Sequence, residues 1–309
     1  MEMLDRYRGA LLGLATGDAL GTTLEFSEPG TFDPIDDMKG GGPFNLQPGQ
    51  WTDDTSMALC LAESLIESGE FDPVDQLARY VRWKREGLHS SNGTCFDVGA
   101  TVRSALARFE RYSEPWSGST DEFSAGNGSI MRLAPVPLFF ASDPYNAIAR
   151  SADSSRTTHG AREAVDGCRY LAGLIIGALQ GKSKKDLLAP LFAPVPRLWN
   201  RQPLAPKIHA IAAGSFLRRE PPDIRGTGYV VDSLEAALWA FAKSTSFEHG
   251  ALLAVNLGDD ADTTGAVYGQ IAGAYYGVEG IPERWRAKLA HSETLENFSQ
   301  RLLRNSASC

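Results

Sequence analysis

The sequence has few cysteines, and their spacing suggests neither a disulfide framework nor a metal knuckle. The 309 residues contain four, Cys60, Cys95, Cys168 and Cys309, and no two of them form a C-x-x-C pair. Small secreted proteins depend on dense cysteine patterns, whereas scattered reduced thiols are typical of the cytosol. We therefore expect free thiols and a cytoplasmic location.

An excess of basic residues is also missing. Lys and Arg number 30 against 38 Asp and Glu, which gives a formal net charge of −8 at pH 7. Proteins that bind nucleic acid without sequence preference need a basic face to neutralise phosphates. The composition therefore argues against stable binding of a nucleic-acid duplex. At first sight it also disfavours any anionic ligand.

Long apolar runs are absent as well. The longest one after the N-terminal region, residues 170–179, covers about half of the roughly 20 residues that a membrane-spanning helix needs. An earlier apolar stretch, residues 10–20, is interrupted by Asp18 and preceded by acidic residues, which is unlike a signal peptide. We expect neither a leader nor a membrane anchor.

Strand-like alternation is nearly absent, and helical periodicity takes its place. Met57, Leu61 and Leu65 recur at four-residue spacing until Gly69, and similar apolar faces return in five later segments. There is no internal repeat and no obvious linker. The sequence therefore predicts an all-α fold with one compact domain over residues 1–309.

Two connections between the predicted helices are rich in glycine and proline. Residues 28–50 form the longer one, and residues 189–206 the other. An irregular connection as long as the first, inside a compact domain, is usually functional or disordered. We expect residues 28–50 to serve the function and residues 189–206 to be a structural crossing.

An acidic segment stands at the start of the first of these predicted helices. It reads Trp51-Thr52-Asp53-Asp54-Thr55. Thr and Asp are common in the first turn of a helix, so capping alone could explain such a segment. A hydroxyl and two carboxylates are also hard oxygen ligands for Mg²⁺, Mn²⁺ or Ca²⁺. Since adjacent helical side chains diverge by about 100°, the two aspartates could serve two ions or two sides of one.

A second acidic segment, residues 258–264, opens the helix that follows it. Its carboxylates, Asp259, Asp260 and Asp262, lie within four residues and repel one another unless a cation or solvent separates them. Capping needs one or two of them, so their density favours a metal site. The segment is not an EF-hand, because the twelfth position of such a loop does not fall on a glutamate.

The two acidic segments resemble each other, since each places oxygen ligands at a helix N-terminus and ends in threonine. If they face each other, they supply four carboxylates and two hydroxyls, enough for a pair of divalent ions. The predicted metal ligands are Thr52, Asp53, Asp54, Asp260, Asp262 and Thr263.

These segments belong to an ordered series that resembles the ADP-ribosylglycohydrolase family, which is typified by dinitrogenase reductase-activating glycohydrolase. The series spans residues 6 to about 285 and is specific as a set. Besides the two acidic segments it comprises Arg8-Gly9-Ala10, Gly17-Asp18-Ala19-Leu20-Gly21 with Glu25-Phe26, Gly40-Gly41-Gly42-Pro43-Phe44, Phe96-Asp97-Val98-Gly99, Gly126-Asn127-Gly128-Ser129-Ile130-Met131-Arg132, His159 and Gly273-Ala274-Tyr275-Tyr276-Gly277.

The resemblance implies a helical domain with a central cleft that holds two Mg²⁺ or Mn²⁺ ions, bound by the six ligands named above. It implies hydrolysis of the bond between ADP-ribose and a protein side chain, with arginine as the default because the segments are similar to the bacterial arginine-directed branch. Glu25 and Asp97 match acidic residues near the reacting ribose and are the candidate catalytic groups. The substrate-binding candidates are Gly126, Asn127, Gly128, Ser129 and His159, as a diphosphate-binding turn with a neighbouring histidine. The partner is an ADP-ribosylated protein or another ADP-ribose conjugate, and we expect a monomer.

Taken singly, several of these residues have plainer interpretations. Asp97 could be an ordinary helix cap, and His159 a satisfied structural histidine. A Gly-Asn-Gly-Ser turn allows close backbone approach to an anion, but such turns are common. Glu25 could be an unremarkable loop acid.

Three alternatives to an arginine-directed hydrolase stay open at this point. The substrate could be ADP-ribose linked to serine, to a nucleobase or to a small molecule. The chain could be a binding module without turnover, although its six ligand positions match. A phosphatase of the haloacid dehalogenase type is more remote: residues 260–264 fit its D-x-D-x-T motif, but the tail that follows has no room for a parallel α/β domain.

Overall fold

Helices make up the regular secondary structure of residues 1–306, the part of the chain that the computed structural model describes. Over that part there is no β-strand, and β-pairing is limited to three isolated bridges. The predicted all-α class is confirmed. Cys309 lies outside the described residues.

Fifteen α-helices and three short 3₁₀-helices occur in residues 1–306. The α-helices are α1 (Met3–Gly21), α2 (Asp53–Ser68), α3 (Pro73–Glu86), α4 (Ala100–Tyr112), α5 (Pro135–Phe139), α6 (Pro144–Arg156), α7 (Arg162–Leu179), α8 (Lys184–Leu187), α9 (Leu198–Arg201), α10 (Pro206–Ala212), α11 (Val230–Lys243), α12 (Phe247–Val255), α13 (Ala261–Tyr276), α14 (Glu283–Arg286) and α15 (Ser292–Ser306). The 3₁₀-helices are Glu122–Ser124, Ser215–Arg218 and Val278–Gly280.

Local signals set the end of α2 and the start of α3. The helix that contains Met57 ends where predicted, since Gly69 adopts φ 70° and its N–H donates to the Leu65 carbonyl. Asp72 then starts α3, because its side chain accepts from the backbone N–H groups of two residues in the first turn. The helical periodicity of this region is therefore confirmed.

Helices α1 and α13 pack against each other with glycine at every fourth position of the interface. A Cβ atom on Gly13 would lie 2.3 Å from the Gly269 carbonyl oxygen, and one on Gly17 would lie 1.9 Å from that of Gly265. No real Cβ atom can approach so closely, so only glycine permits this backbone separation. The pair is antiparallel, because Gly21 at the end of α1 contacts the start of α13.

The apolar run at residues 170–179 belongs to the core. It lies in α7, whose residues are buried from Ala164 to Leu179. Among the described residues, no helix combines the length and the apolar character needed to cross a bilayer.

The Gly- and Pro-rich segment lies in an irregular connection, residues 22–52, between α1 and α2. Tertiary contacts hold it in place: Ile35 N–H donates to Asn256 Oδ1 at 2.8 Å, and Asn256 Nδ2 donates back to the Ile35 carbonyl at 3.0 Å. Gly42 has φ 65°, and a Cβ there would lie 1.8 Å from the Thr22 carbonyl oxygen. The connection thus forms a fixed wall that carries Glu25 at its beginning and Thr52 at its end.

Candidate metal centre and substrate cleft

The ends of three helices bring carboxylates together in the interior. Asp18 lies on α1, Asp54 in the first turn of α2 and Asp262 in the first turn of α13, and at most 1% of each residue is exposed. One oxygen from each lies within 4.8 Å of the others. A second group with the same spacing consists of Glu25, Asp97 and Asp262. The two predicted acidic segments therefore meet, and Asp262 belongs to both groups.

The Thr52 hydroxyl lies at the centre of the first group. Its Oγ1 is 2.9 Å from Asp18 Oδ1, 3.0 Å from Asp54 Oδ2 and 2.9 Å from Asp262 Oδ2. A hydroxyl has one proton to donate. Two of these three contacts therefore place oxygen lone pairs against each other, which requires either a proton or a cation between them.

Several buried carboxylate oxygens have no hydrogen-bond partner. They are Oδ1 of Asp54, Oδ1 of Asp262 and Oε2 of Glu25. Buried polar atoms are normally satisfied, and unpaired carboxylate oxygens are the most costly exceptions. Mg²⁺ and Mn²⁺ prefer oxygen ligands of this kind. The residues at this site therefore fit a divalent metal centre.

The electrostatics of the site favour a cation. Burial raises the pKa values of Asp53, Asp54 and Asp262 well above the usual range, and neighbouring carboxylates raise them further. Burial, reinforced by Asp97 and other acids, also raises the pKa of Glu25 to about 10. Positive charge at this position would allow the acids to ionise together.

Capping does not explain the first acidic segment. Thr52 occupies the N-cap position of α2, yet its side chain makes no capping hydrogen bond. The N–H of Thr55, the third residue of the helix, instead donates to Asp18 Oδ2 at 3.0 Å. Asp18 therefore caps α2 from the neighbouring helix α1, which leaves Asp53 and Asp54 available for other ligands.

The three aspartates of the second segment point in different directions. Asp259, at φ 54°, lies 3.3 Å from Arg225 in an ion pair at the surface. Asp260 Oδ2 accepts from Asn127 Nδ2 at 2.8 Å, and Asp262 enters the carboxylate groups. Thr263 is buried in the first turn of α13. The charge of Asp259 is therefore neutralised outside the centre. The sequence pattern did not reveal this difference among the three aspartates.

Asp97, one of the two candidate catalytic acids, lies close to the other, Glu25, and to the candidate metal ligand Asp262. It adopts φ 53°, and one of its carboxylate oxygens lies within 4.8 Å of oxygens of Glu25 and Asp262. Burial raises the pKa of Asp97 to about 6. It is not the cap of α4, whose N-cap is Gly99 without a side-chain capping bond. The structure thus places Asp97 and Glu25 at one side of the acidic cluster.

The predicted diphosphate turn lies beside the second acidic segment. Asn127 N–H donates to the Gly228 carbonyl at 3.1 Å, and its side chain also donates to Ser233 Oγ at 2.8 Å. The Ser129 hydroxyl pairs with Ser155 Oγ at 2.8 Å in the interior. Asn127 therefore contacts the candidate metal ligand Asp260, while the Ser129 side chain faces the core. Any contact of Ser129 with a phosphate would use its backbone.

His159 lies beneath this turn. Its ring is buried, and Nδ1 is 2.9 Å from Thr158 Oγ1. A Cβ atom on Gly128 would lie 2.9 Å from the ring carbon Cε1, and one on Gly126 would lie 3.4 Å from Nε2. Burial, with a smaller effect of Arg132, lowers the pKa of His159 to about 3, which keeps the ring neutral. These contacts agree with the structural interpretation of His159, and a direct contact with substrate stays a prediction.

A cavity of about 640 Å³ adjoins the turn and approaches the acidic centre. Gly126, Glu163, Lys207 and Tyr229 are among the residues that line it. Gly228 also lines the cavity, and a Cβ there would lie 3.5 Å from Asp260 Oδ2. The volume falls within the roughly 300–1,000 Å³ range of small-molecule sites.

The place of Asp18 in the acidic centre could not be read from the sequence, where Asp18 only interrupts an apolar stretch and belongs to the segments that carry the family resemblance. A charged residue within residues 10–20, among apolar neighbours on a helix, was the available signal, because a buried carboxylate needs partners. The contact between Asn127 and Asp260 had no comparable local signal, since it joins residues 133 positions apart.

Comparison with known proteins identifies the class to which this fold and site belong. The family model described as ADP-ribosylglycohydrolase matches residues 1–309, and the chain belongs to that family. The fold leaves no place for the parallel α/β domain of a haloacid dehalogenase phosphatase, since residues 1–306 contain no strand.

Individual relatives in this family carry more specific names. The chain is 44% identical to "ADP-ribosylarginine hydrolase Tri1" of Serratia proteamaculans, over 97% of this chain and 80% of that protein. It is 46% identical to the protein of the same name from Pseudomonas putida, over 97% and 78%. It is 32% identical to "ADP-ribosyl-[dinitrogen reductase] glycohydrolase" of Rhodospirillum rubrum, over 92% and 90%. A solved structure titled "ADP-ribosylglycohydrolase-related protein complex" matches with a TM-score of 0.87 and 47% identity, over 99% of both chains.

Proposed function

We propose that this protein is a metal-dependent hydrolase that removes ADP-ribose from modified arginine side chains of proteins. The observation that carries the proposal is the Thr52 hydroxyl between three carboxylate oxygens, next to unpaired oxygens of Asp54 and Asp262. Two relatives of at least 44% identity are named as ADP-ribosylarginine hydrolases, which supports arginine as the linkage.

We propose two Mg²⁺ or Mn²⁺ ions as the cofactors. The residues that would hold them are Thr52, Asp53, Asp54, Asp260, Asp262 and Thr263. Bound divalent ions supply Lewis acidity: they fix ribose hydroxyls and lower the pKa of water. Two such ions also balance the four aspartates, so the net charge of −8 does not disfavour an anionic diphosphate.

The chain's own residues would carry out the proton transfers. In the hydrolysis, water adds to the anomeric carbon of the distal ribose, the bond from that carbon to the guanidine nitrogen breaks, and the leaving nitrogen takes a proton. Glu25 and Asp97 are the candidates to accept a proton from water and to donate one to the leaving group. Their carboxylate oxygens lie within 4.8 Å of each other, so the two acids could exchange a proton between these steps.

The turn at residues 126–129 and the adjoining cavity would bind the rest of ADP-ribose. Backbone N–H groups of a glycine turn can approach a diphosphate closely. His159 would support the turn from below, because its ring packs against Gly126 and Gly128. The ribose would then lie between this turn and the carboxylates.

A release assay tests the proposed function. Purified protein is incubated with arginine-, serine- and nucleobase-linked ADP-ribose, with Mg²⁺, with Mn²⁺ or with EDTA. We expect release from the arginine conjugate that depends on divalent metal. Release from another linkage alone would correct the substrate, full activity in EDTA would exclude the metal mechanism, and ADP-ribose binding without release from any conjugate would indicate a binding module.

We further propose that the protein acts as a monomer in the cytoplasm. Cys60, Cys95 and Cys168 are free thiols, as a reducing compartment allows. Light scattering coupled to size-exclusion chromatography measures the oligomeric state. A mass near 33.4 kDa is expected, and a stable dimer would contradict the proposal.

A further inference from the structure

We propose that Asp18 is a positioning residue that orients Thr52 and the first turn of α2 for metal binding and does not itself bind the metal. This inference rests on the proposed metal-dependent function. It concerns a residue outside the six predicted ligands.

The Asp18 carboxylate is surrounded by donor groups of Thr52, the N-cap residue of α2, and of Thr55 in its first turn. Oδ1 accepts from the N–H and the hydroxyl of Thr52, both at 2.9 Å. Oδ2 accepts from the N–H of Thr55 at 3.0 Å and from its hydroxyl at 2.6 Å. A carboxylate has about four lone-pair sites: three face the two N–H groups and the Thr55 hydroxyl, and the fourth is used when the single proton of the Thr52 hydroxyl points at Asp18.

The carboxylates of Asp54 and Asp262 differ from Asp18 in this respect. Each uses one oxygen to contact Thr52 and leaves its Oδ1 without a partner. All three carboxylates lie within 4.8 Å of one another, so distance alone would make Asp18 a third ligand. The number of free lone pairs distinguishes Asp18 from Asp54 and Asp262, since a cation needs electron pairs that no donor already occupies.

The hydrogen bond from the Thr52 hydroxyl to Asp18 decides where its lone pairs point. If the proton lies on the line to Asp18 Oδ1, the lone pairs face Asp54 Oδ2 and Asp262 Oδ2. That orientation turns the hydroxyl oxygen into a ligand directed at the same space as the two carboxylates. Outer-sphere partners of this kind orient metal ligands in many proteins.

The backbone around Asp18 is held rigidly enough for this role. The preceding residue, Gly17, packs against Gly265 on α13, and Gly21 packs against Ala261 at the start of that helix. Asp18 thus stands between α2, which it caps, and α13, which carries Asp262. Its hydrogen bonds tie the first acidic segment to α1, and the glycine packing of α1 against α13 holds that helix to the second segment.

The test compares Mn²⁺ affinity, measured by isothermal titration calorimetry, among four forms of the full-length protein. Asp18→Asn replaces one acceptor oxygen with an N–H donor that faces other donors. Thr55→Val keeps the side-chain shape but removes one donor to Asp18. Asp166→Asn is the matched control, since Asp166 is a buried aspartate that accepts from the Ala205 N–H and from Arg169 and belongs to neither carboxylate group of the site.

We expect Asp18→Asn to bind Mn²⁺ about 10–100-fold more weakly than the wild type, a typical cost of losing an outer-sphere partner. Thr55→Val, which serves if Asp18→Asn does not fold, should weaken binding by a smaller factor. Asp166→Asn should lose thermal stability and keep its Mn²⁺ affinity. Near-saturating Mn²⁺ should restore most of the kcat of Asp18→Asn.

Several results would overturn the inference. Unchanged Mn²⁺ affinity in folded Asp18→Asn and Thr55→Val would show that Asp18 has only a structural role. Complete loss of binding at millimolar Mn²⁺ in folded Asp18→Asn would show that Asp18 is a ligand. If the wild type binds Mn²⁺ but releases no ADP-ribose, the proposed function fails while the role of Asp18 stands; if the wild type does not bind Mn²⁺, both fail.

Discussion

Gly13 of α1 and Gly269 of α13 lie backbone against backbone, and a Cβ on Gly13 would come within 2.3 Å of the Gly269 carbonyl oxygen. The close approach is what brings the end of α1 to the start of α13. Asp18 and Asp262 occupy those ends, so the geometry of the acidic centre depends on a contact made one to two helical turns away.

The first prediction concerns this contact. Gly13→Ala should destabilise the protein by about 2 kcal/mol, because overpacking costs up to about 3 kcal/mol and alanine regains roughly 1 kcal/mol in helix propensity. Urea denaturation measures the change. Gly99→Ala is the control, since a Cβ there meets no atom within 4 Å; equal stability of the two variants would show that the helices can separate without cost.

The second prediction concerns the metal ligands. Asp262→Asn should lower turnover by more than about 100-fold, beyond the usual cost of losing an outer-sphere partner. The metal-free variant should be more stable than metal-free wild type by about 1 kcal/mol or more, because a buried acid with one unpaired oxygen is removed from among other acids. Thermal melts with and without Mn²⁺ measure both stability and the metal-induced shift.

Asp259→Asn is the matched control for that experiment. Asp259 belongs to the same acidic segment but pairs with Arg225 outside the centre. It should keep its turnover and its Mn²⁺-induced rise in melting temperature. Equal loss of both in Asp259→Asn and Asp262→Asn would contradict the assignment of ligands.

The third prediction is a pH dependence of stability in the metal-free protein. In the folded state the pKa of Glu25 rises from 4.5 to about 10, chiefly through burial. A carboxyl whose folded pKa exceeds its unfolded value holds its proton more tightly when folded, so stability is present below the unfolded pKa and is lost as pH rises towards the folded one. The free energy of unfolding should therefore fall between pH 5 and pH 8, by up to about 1.4 kcal/mol per pH unit from this group.

Chemical denaturation at several pH values in EDTA measures that slope. Glu25→Gln should make the slope shallower, because glutamine does not titrate while the buried aspartates, whose pKa values are also raised, still contribute. Saturating Mn²⁺ should stabilise the wild type more at pH 8 than at pH 6, since the ion favours the ionised carboxylates. A slope of opposite sign in the metal-free wild type would be incompatible with buried, unpaired acids.

The fourth prediction concerns the turn above His159. Gly128→Ala places a Cβ 2.9 Å from the imidazole, so the turn must shift away from the ring. We expect the KM for an ADP-ribosylated arginine substrate to rise about 10-fold, a cost near 1.4 kcal/mol, with a smaller change in kcat. Steady-state kinetics measure KM and kcat. The double variant Gly128→Ala with His159→Ala should recover part of the lost affinity. An unchanged KM in Gly128→Ala would show that the turn does not bind substrate.

Much of the fold could be predicted because helix formation leaves local traces. The four-residue spacing of Met57, Leu61 and Leu65 and the terminating Gly69 are short-range features, and the structure confirms them. The glycine interface between α1 and α13 was harder to predict from the sequence. Gly13 and Gly269 are 256 positions apart, and a glycine within one helix does not specify which backbone it meets.

The candidate site shows the same division. The density of acids in residues 258–264 predicted a metal centre, but not that Asp259 turns outward to Arg225 while Asp262 turns inward. Those directions depend on Asp259 having φ 54° and on packing against other helices. The sequence therefore indicated the ligand types without their individual orientations.

By itself, the sequence determined the helical class, the family resemblance and the two acidic segments, because residue type, spacing and order are one-dimensional properties. Only the tertiary structure decided that the two segments meet, that Asp18 caps α2 from another helix, and that Asp54 and Asp262 are each left with one oxygen without a partner. The physical reason is that hydrogen-bond satisfaction in the interior depends on which distant groups fill each lone pair. In this protein the same residue type, aspartate, is a surface ion-pair partner at position 259, a helix cap at position 18 and a candidate metal ligand at position 262.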